Sequence, residues 1–198
     1  MFDNYRFILA SRSPRRKKLL AGLDIRFTVE TSKDDKEAYG ADLPREQVPE
    51  FLARHKSDSF VRPLEPDEVL ITADTLVYLG DELLGKPEDR EGACAMLRKL
   101  SGHTHSVLTG VVLRSAGRSV SFTDTTDVTF RELSEDEIEY YVDHYRPFDK
   151  AGAYGIQEWI GYAGIIGIRG SYFNVMGLPV QRLYDELCRF LDGTGDAH

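Results

Sequence analysis

What constrains this chain most is the order in which two kinds of hydrophobic periodicity follow one another. Residues 5–10, YRFILA, form a short apolar run of strand type, and Ser13-Pro14 then supplies an N-cap and a proline at the first helical position. The helix so opened is expected over Pro14 to Ala21, with Gly22 as its stop. IRFTVE (25–30) alternates as a second strand, and the charged stretch TSKDDKEAYGADLP (31–44) reads as a loop. Arg45 to Phe60 places Val48, Phe51, Leu52, Ala53 and Phe60 at helical spacing, with Pro49 early enough to sit in a first turn. VLITADTLVYL (69–79) is a strand, GDELLGKP a hairpin-like return, and Glu88 to Leu100 a helix ending at Ser101-Gly102. From Thr104 to Leu133 β-branched residues recur around a turn at Ala116-Gly117, which predicts two or three antiparallel strands. Ser134 to Glu137 is a capping box opening a helix through Tyr145, with Tyr140, Tyr141, Tyr145 and Phe148 read as helix packing. Residues 150–170 read as loop plus strand, and Pro179 to Leu191 as a terminal helix. Single strand-helix units around a central run of strands predict an α/β fold with a mixed β-sheet flanked by helices.

Composition narrows the function. The chain has 198 residues with 41% hydrophobic and 29% charged residues, enough to bury a core without a disulfide or structural metal. One domain over 1–192 and a polar tail over 193–198 are expected. Lys+Arg 25 against Asp+Glu 33 gives a net charge of -8, the wrong sign for a protein that coats nucleic acid or an anionic membrane. Cys94 and Cys188 have no Cys-x-x-Cys or Cys/His spacing around them, and neither a signal peptide nor a membrane span is read, so a reduced, cytoplasmic setting is expected.

Three groups of residues point to chemistry. Ser11-Arg12-Ser13-Pro14-Arg15-Arg16-Lys17-Lys18 packs five cations and two hydroxyls into the turn from a strand into a helix. In an acidic chain this reads as a focused anion site, because helix N-terminal amides and arginine forks grip phosphate oxygens; the alternative is a solvated basic helix face or a targeting run. Asp74 breaks the apolar run ITADTLV, so it is a candidate base or metal ligand, or else it caps a turn or sits on a strand end facing solvent. Lys56 in LARHK, Lys86 in GKP and Glu37 in DDKE are each more often wet side chains. With Asp74, however, they supply two carboxylates for a divalent cation and two cations for phosphate oxygens. His103 and His105 would share one face of a strand, as a metal pair could, though no third ligand pattern is visible. Esterase, P-loop and dinucleotide-binding motifs are not found.

These segments resemble the Maf family, the septum-formation-associated nucleotide pyrophosphatases. The likeness is carried by ILASRSPRRKKLL, DDKEAY, LARHK, ITADTLV, LGKP, LSGHTHSVLTGV, KAGAYGIQ and GSYFNVMGLP, in the family's order over nearly the whole chain. The resemblance implies a fold related to that of inosine triphosphatase, two lobes around a cleft, and hydrolysis of nucleoside triphosphates to monophosphate and pyrophosphate. It places the family's phosphate-binding serines and arginines on Ser11, Ser13, Arg15 and Arg16, its acidic-loop glutamate on Glu37 and its helix lysine on Lys56. The catalytic aspartate falls on Asp74, with Thr75 beside it, the Gly-Lys-Pro lysine on Lys86 and the cleft glutamine on Gln157. Arg16, Thr75 and Gln157 resemble the trio of the subgroup acting on dTTP and UTP, modified uridine triphosphates included; a homodimer and a house-cleaning role are further implications.

The mechanism this implies has Mg²⁺ or Mn²⁺ bridging Glu37 and Asp74 to the triphosphate, with Arg15, Lys56 and Lys86 offsetting charge on its oxygens. Asp74 orients and deprotonates a water that attacks the α-phosphorus. An ordinary aspartate, with a pKa of about 4, is a poor base at neutral pH, so the metal is expected to lower the water's pKa. The rival readings are a nucleotide-sensing or division-related binding protein without turnover, and an enzyme that is broader in substrate or releases orthophosphate.

Overall fold

A computed structural model describes residues 2–31 and 43–193 of the chain. The first strand, β1 (Arg6–Leu9), buries Phe7, Ile8 and Leu9, as a strand covered on both faces must. Helix α1 (Pro14–Ala21) follows as expected, with Ser13 accepting the Arg16 N–H at 3.3 Å. Gly22 ends it in ordinary right-handed geometry. Strand β2 (Phe27–Val29) is shorter than its alternation suggests and half-exposed.

Helix α2 (Val48–Asp58) begins three residues after the expected start and ends two before the expected end, because 45–47 form a turn. Its buried face is Val48, Pro49, Leu52, Ala53 and Ser57; Phe51 is 40% exposed, contrary to the sequence expectation. The helix phase explains this, since Val48, Leu52 and Ala53 already fill the inward stripe. Strand β3 (Glu68–Leu79) turns through Gly80 into the short β4 (Glu82–Leu84). Helix α3 (Arg90–Leu100) starts two residues later than expected because the Asp89 carboxylate captures the Gly92 N–H at 2.8 Å.

The long β pattern resolves into two strands, β5 (Thr104–Arg114) and β6 (Ser119–Phe130), joined by a turn in which Ser115 N–H donates to the Arg118 carbonyl at 2.9 Å. Helix α4 (Glu135–Tyr145) carries the full Ser134/Glu137 capping box and ends on Arg146 in the left-handed region. Between Lys150 and Gly170 the sequence reading found only strand β7 (Ile165–Arg169). The structure adds a 3-10 turn at Ala151–Ala153 and helix α5 (Trp159–Gly164), with α6 (Tyr172–Met176) beyond it. Helix α7 (Val180–Asp192) closes the described chain on Val180, Leu183, Leu187 and Phe190.

Among the described residues the sheet is mixed and seven-stranded, in the order β2-β1-β3-β5-β6-β7 with β4 on β3. Parallel pairing sets Leu9 opposite both Val29 and Ile71, whereas β4 on β3 and β7 on β6 are antiparallel. The chain divides into two compact units. The first comprises Met1–Asp74, Thr109–Asp124 and Gly177–His198, and the second Thr75–Leu108 and Thr125–Met176. In the first, Gly110 of β5 lies so close to α2 that a Cβ there would meet the backbone of Pro49 and Glu50 at 2.2–2.3 Å. In the second, Leu97, Leu100, Phe130, Tyr141 and Ile160 form the centre of one apolar cluster. Among the described residues no helix is long and apolar enough to cross a membrane, and Cys94 and Cys188 carry free thiols.

Candidate functional site

In the first unit the strand-to-helix turn after β1 brings the hydroxyls of the basic motif onto the local backbone. Ser11 Oγ accepts the Ser13 N–H at 3.2 Å, and Ser13 Oγ in turn caps α1. No acidic residue lies in the first turn of α1, so nothing on the helix itself offsets its positive end. Arg15 and Arg16 are half-buried while Arg12, Lys17 and Lys18 are exposed, which separates two of the five cations from a solvated basic face. The Arg16 guanidinium is aimed by a group with no sequence signature, the carbonyl of Gly177, which accepts its Nε–H at 2.8 Å. Gly177 itself sits at φ +114°, a conformation that glycine tolerates and other residues rarely adopt.

Asp74 is 6% exposed on β3, and its Oδ1 accepts a hydrogen bond from Lys56 Nζ of α2. The periodicities of the two elements produce this meeting. Thr72 and Asp74 share a strand face, and Ala53 and Lys56 stand one turn apart on the helix. Thr72 Oγ1 donates to the Ala53 carbonyl at 2.7 Å, and Asp74 then falls opposite Lys56. The Lys56 side chain is 15% exposed, so a charge pair rather than a lone carboxylate occupies the apolar strand.

In the second unit Thr75 is half-buried, Lys86 is exposed after β4, and Gln157 lies in the turn after Tyr154 with its Oε1 buried. That oxygen has no hydrogen-bond partner among the described residues. Glu37 lies outside the described residues. The structure separates the two histidines, one exposed and one buried. His103 precedes β5, with Nδ1 2.7 Å from the Ser101 carbonyl. His105 is in the core, stacked on Phe130, with Nε2 2.7 Å from the Tyr154 hydroxyl. Burial lowers the His105 pKa to about 4. Among the described residues no group of three His, Cys, Asp or Glu side chains could hold a metal ion.

The profile of the family described as "Maf-like protein" matches residues 6–190. The chain belongs to the Maf-like protein family. Curated relatives of this Maf-like chain include a dTTP/UTP pyrophosphatase of Bacteroides thetaiotaomicron, 55% identical over 93% of this chain and 96% of that one. Another, of Phocaeicola vulgatus, is 54% identical over the same shares, and one of Porphyromonas gingivalis 51% identical over 96% and 98%. Among solved structures, a HAM1 protein from Coxiella burnetii is similar over 93% of this Maf-like chain and 99% of its own, at 13% identity and a TM-score of 0.47. At that distance nothing about this chain follows from the likeness.

Proposed function

We propose that this Maf-like protein is a nucleoside triphosphate pyrophosphatase that hydrolyses dTTP and UTP to the monophosphate and pyrophosphate. The observation that carries the chemistry is the buried Asp74–Lys56 pair, in the same unit as the N-terminal end of α1 with Arg15 and Arg16. Relatives more than 50% identical that bear the name dTTP/UTP pyrophosphatase support the substrate class.

In this reading Ser11, Ser13, Arg15 and Arg16 bind the triphosphate, and Lys56 and Lys86 offset charge that builds on its oxygens. Asp74, its carboxylate oriented by Lys56, accepts the proton of a water whose oxygen attacks the α-phosphorus; the bond to the bridging α–β oxygen breaks and pyrophosphate leaves with its electrons. Hard carboxylate oxygens fit Mg²⁺ or Mn²⁺, which one or two carboxylates plus phosphate oxygens commonly hold; Asp74 and Glu37 would be those carboxylates. When bound, such an ion supplies charge compensation and a lowered pKa for water. Arg16, Thr75 and Gln157 select the base. Gln157 suits a pyrimidine because its buried oxygen can accept the N3–H that uracil and thymine carry and cytosine lacks. Self-association as a homodimer belongs to the same proposal and is read by sedimentation.

The test is purified protein with Mg²⁺ or Mn²⁺ against dTTP, UTP, CTP, dATP, GTP and a methylated guanosine triphosphate, resolving pyrophosphate from orthophosphate. Pyrophosphate from dTTP and UTP above the rest is expected, and Asp74→Asn is expected to keep the fold and lose turnover. Folded wild-type protein that binds nucleotides without hydrolysing any of them would make this a binding protein instead.

A further inference from the structure

A partly buried charged cluster in the second unit takes no part in the proposed hydrolysis. Lys150 is 8% exposed, and its Nζ lies 3.2 Å from Glu158 Oε1 and 2.7 Å from Asp149 Oδ1. The other oxygen of Glu158 accepts from the hydroxyl of Tyr141, a wholly buried residue of α4. The same hydroxyl oxygen accepts the Gly155 N–H at 2.9 Å, and the Glu158 N–H donates to the Gly155 carbonyl at 3.0 Å. Residues 155–158 are therefore a closed turn tied at both ends to one tyrosine, with a lysine on its carboxylate. Burial and the neighbouring carboxylate push the Tyr141 pKa well up, so the hydroxyl stays a donor.

Gln157 is inside that turn. A Cβ built on Gly155 would lie 2.9 Å from Glu158 Cδ and 3.1 Å from Gln157 Nε2, so the amide nitrogen and the carboxylate border the same small space. A carboxylate attracts the NH₂ end of an amide and repels its oxygen. The Gln157 oxygen is buried and has no hydrogen-bond partner among the described residues. Taking a Lys-Glu-Tyr set largely out of water is costly where apolar side chains could stand, and holding one geometry is a use that such sets can serve.

We propose that Glu158, clamped between Tyr141 and Lys150, is a positioning residue that orients the Gln157 amide with its oxygen as the acceptor for the base. The consequence is selection between pyrimidines. Uracil and thymine present a donor at N3 and cytosine an acceptor, so an amide free to turn over would present NH₂ to cytosine and lose the distinction. The inference rests on the reading that Gln157 faces the base.

The experiment is steady-state kinetics with UTP and CTP on wild type, Glu158→Gln, Tyr141→Phe and Gln157→Ala, alongside thermal melting. In Glu158→Gln the CTP-to-UTP ratio of kcat/KM should rise about tenfold, through KM rather than kcat, with folding retained. Tyr141→Phe keeps the buried ring and removes only the hydroxyl; it should move the ratio the same way by a smaller factor, and it decides the matter if Glu158→Gln fails to fold. A ratio unchanged in both clamp variants, while Gln157→Ala erases the preference, overturns this inference alone. A preference that survives Gln157→Ala overturns the reading of Gln157 beneath it.

Discussion

His105 shows what a single buried titratable side chain does to the molecule. Its ring is 2% exposed, packed on Phe130 and Tyr154, with Asp127 the charged group that acts on it at longer range. The folded pKa of about 4 lies below the ordinary imidazole value of 6.5, so the native state holds the ring neutral where the unfolded chain would bind a proton. Stability from this group is complete above the unfolded pKa and is lost as pH falls toward the folded one. Urea titrations should therefore show unfolding free energy falling by about 2–3 kcal/mol from this residue between about pH 7.5 and about pH 4.5. His105→Phe should flatten that part of the slope, and an unchanged slope would place the acid sensitivity elsewhere. At the same scale, Lys56 on a charged helix was marked only by the family's motif, whereas Asp74 was legible because a carboxylate is unusual in an apolar strand. The Gly177 carbonyl was not, because every residue has one and only tertiary contact decides which carbonyl meets Arg16.

Among the elements, α1 and α4 were legible to the residue because their caps are local chemistry: Ser13 and Ser134 satisfy amides three residues away. Ser13→Ala should cost about 1 kcal/mol of stability and, on the proposed function, also raise KM for nucleotide. A normal KM in the folded variant would reduce Ser13 to a cap. The approach of β5 to α2 is the opposite case. Nothing local to Gly110 announces that helix backbone lies against it, yet any Cβ would meet Pro49 and Glu50 at 2.2–2.3 Å. Gly110→Val should lower the melting temperature sharply, by about 2 kcal/mol or more in stability, since neither backbone can yield cheaply; a melting temperature like wild type's would show that α2 shifts freely. Helices α5 and α6 escaped the sequence reading for a related reason. They are six and five residues long, too short for a helical period to declare itself, and glycines at 161 and 164 argue against helix on propensity.

For the whole molecule, the two units are interleaved in sequence. The chain passes between them after Asp74, Leu108, Asp124 and Met176, and three of those crossings lie inside strands β3, β5 and β6. Neither unit is a continuous segment, so unfolding one requires breaking strands that continue into the other. Thermal unfolding followed by far-ultraviolet circular dichroism and by fluorescence of Trp159, which lies in the second unit, should give coincident transitions. Two separated midpoints would show that the units melt independently.

Most of the strand and helix order, the mixed sheet class and the basic cluster at the start of α1 were present in the sequence alone, because periodicity, capping and charge are properties of neighbours along the chain. The sequence also carried the family's ordered motifs. Tertiary structure alone decided which residues from distant segments meet: Lys56 with Asp74, Gly177 with Arg16, Tyr141 and Lys150 with Glu158, and His105 with Tyr154 rather than with His103. Those pairings follow from sheet order and helix phase, which sum contributions from the whole chain and leave no mark at the residues they bring together.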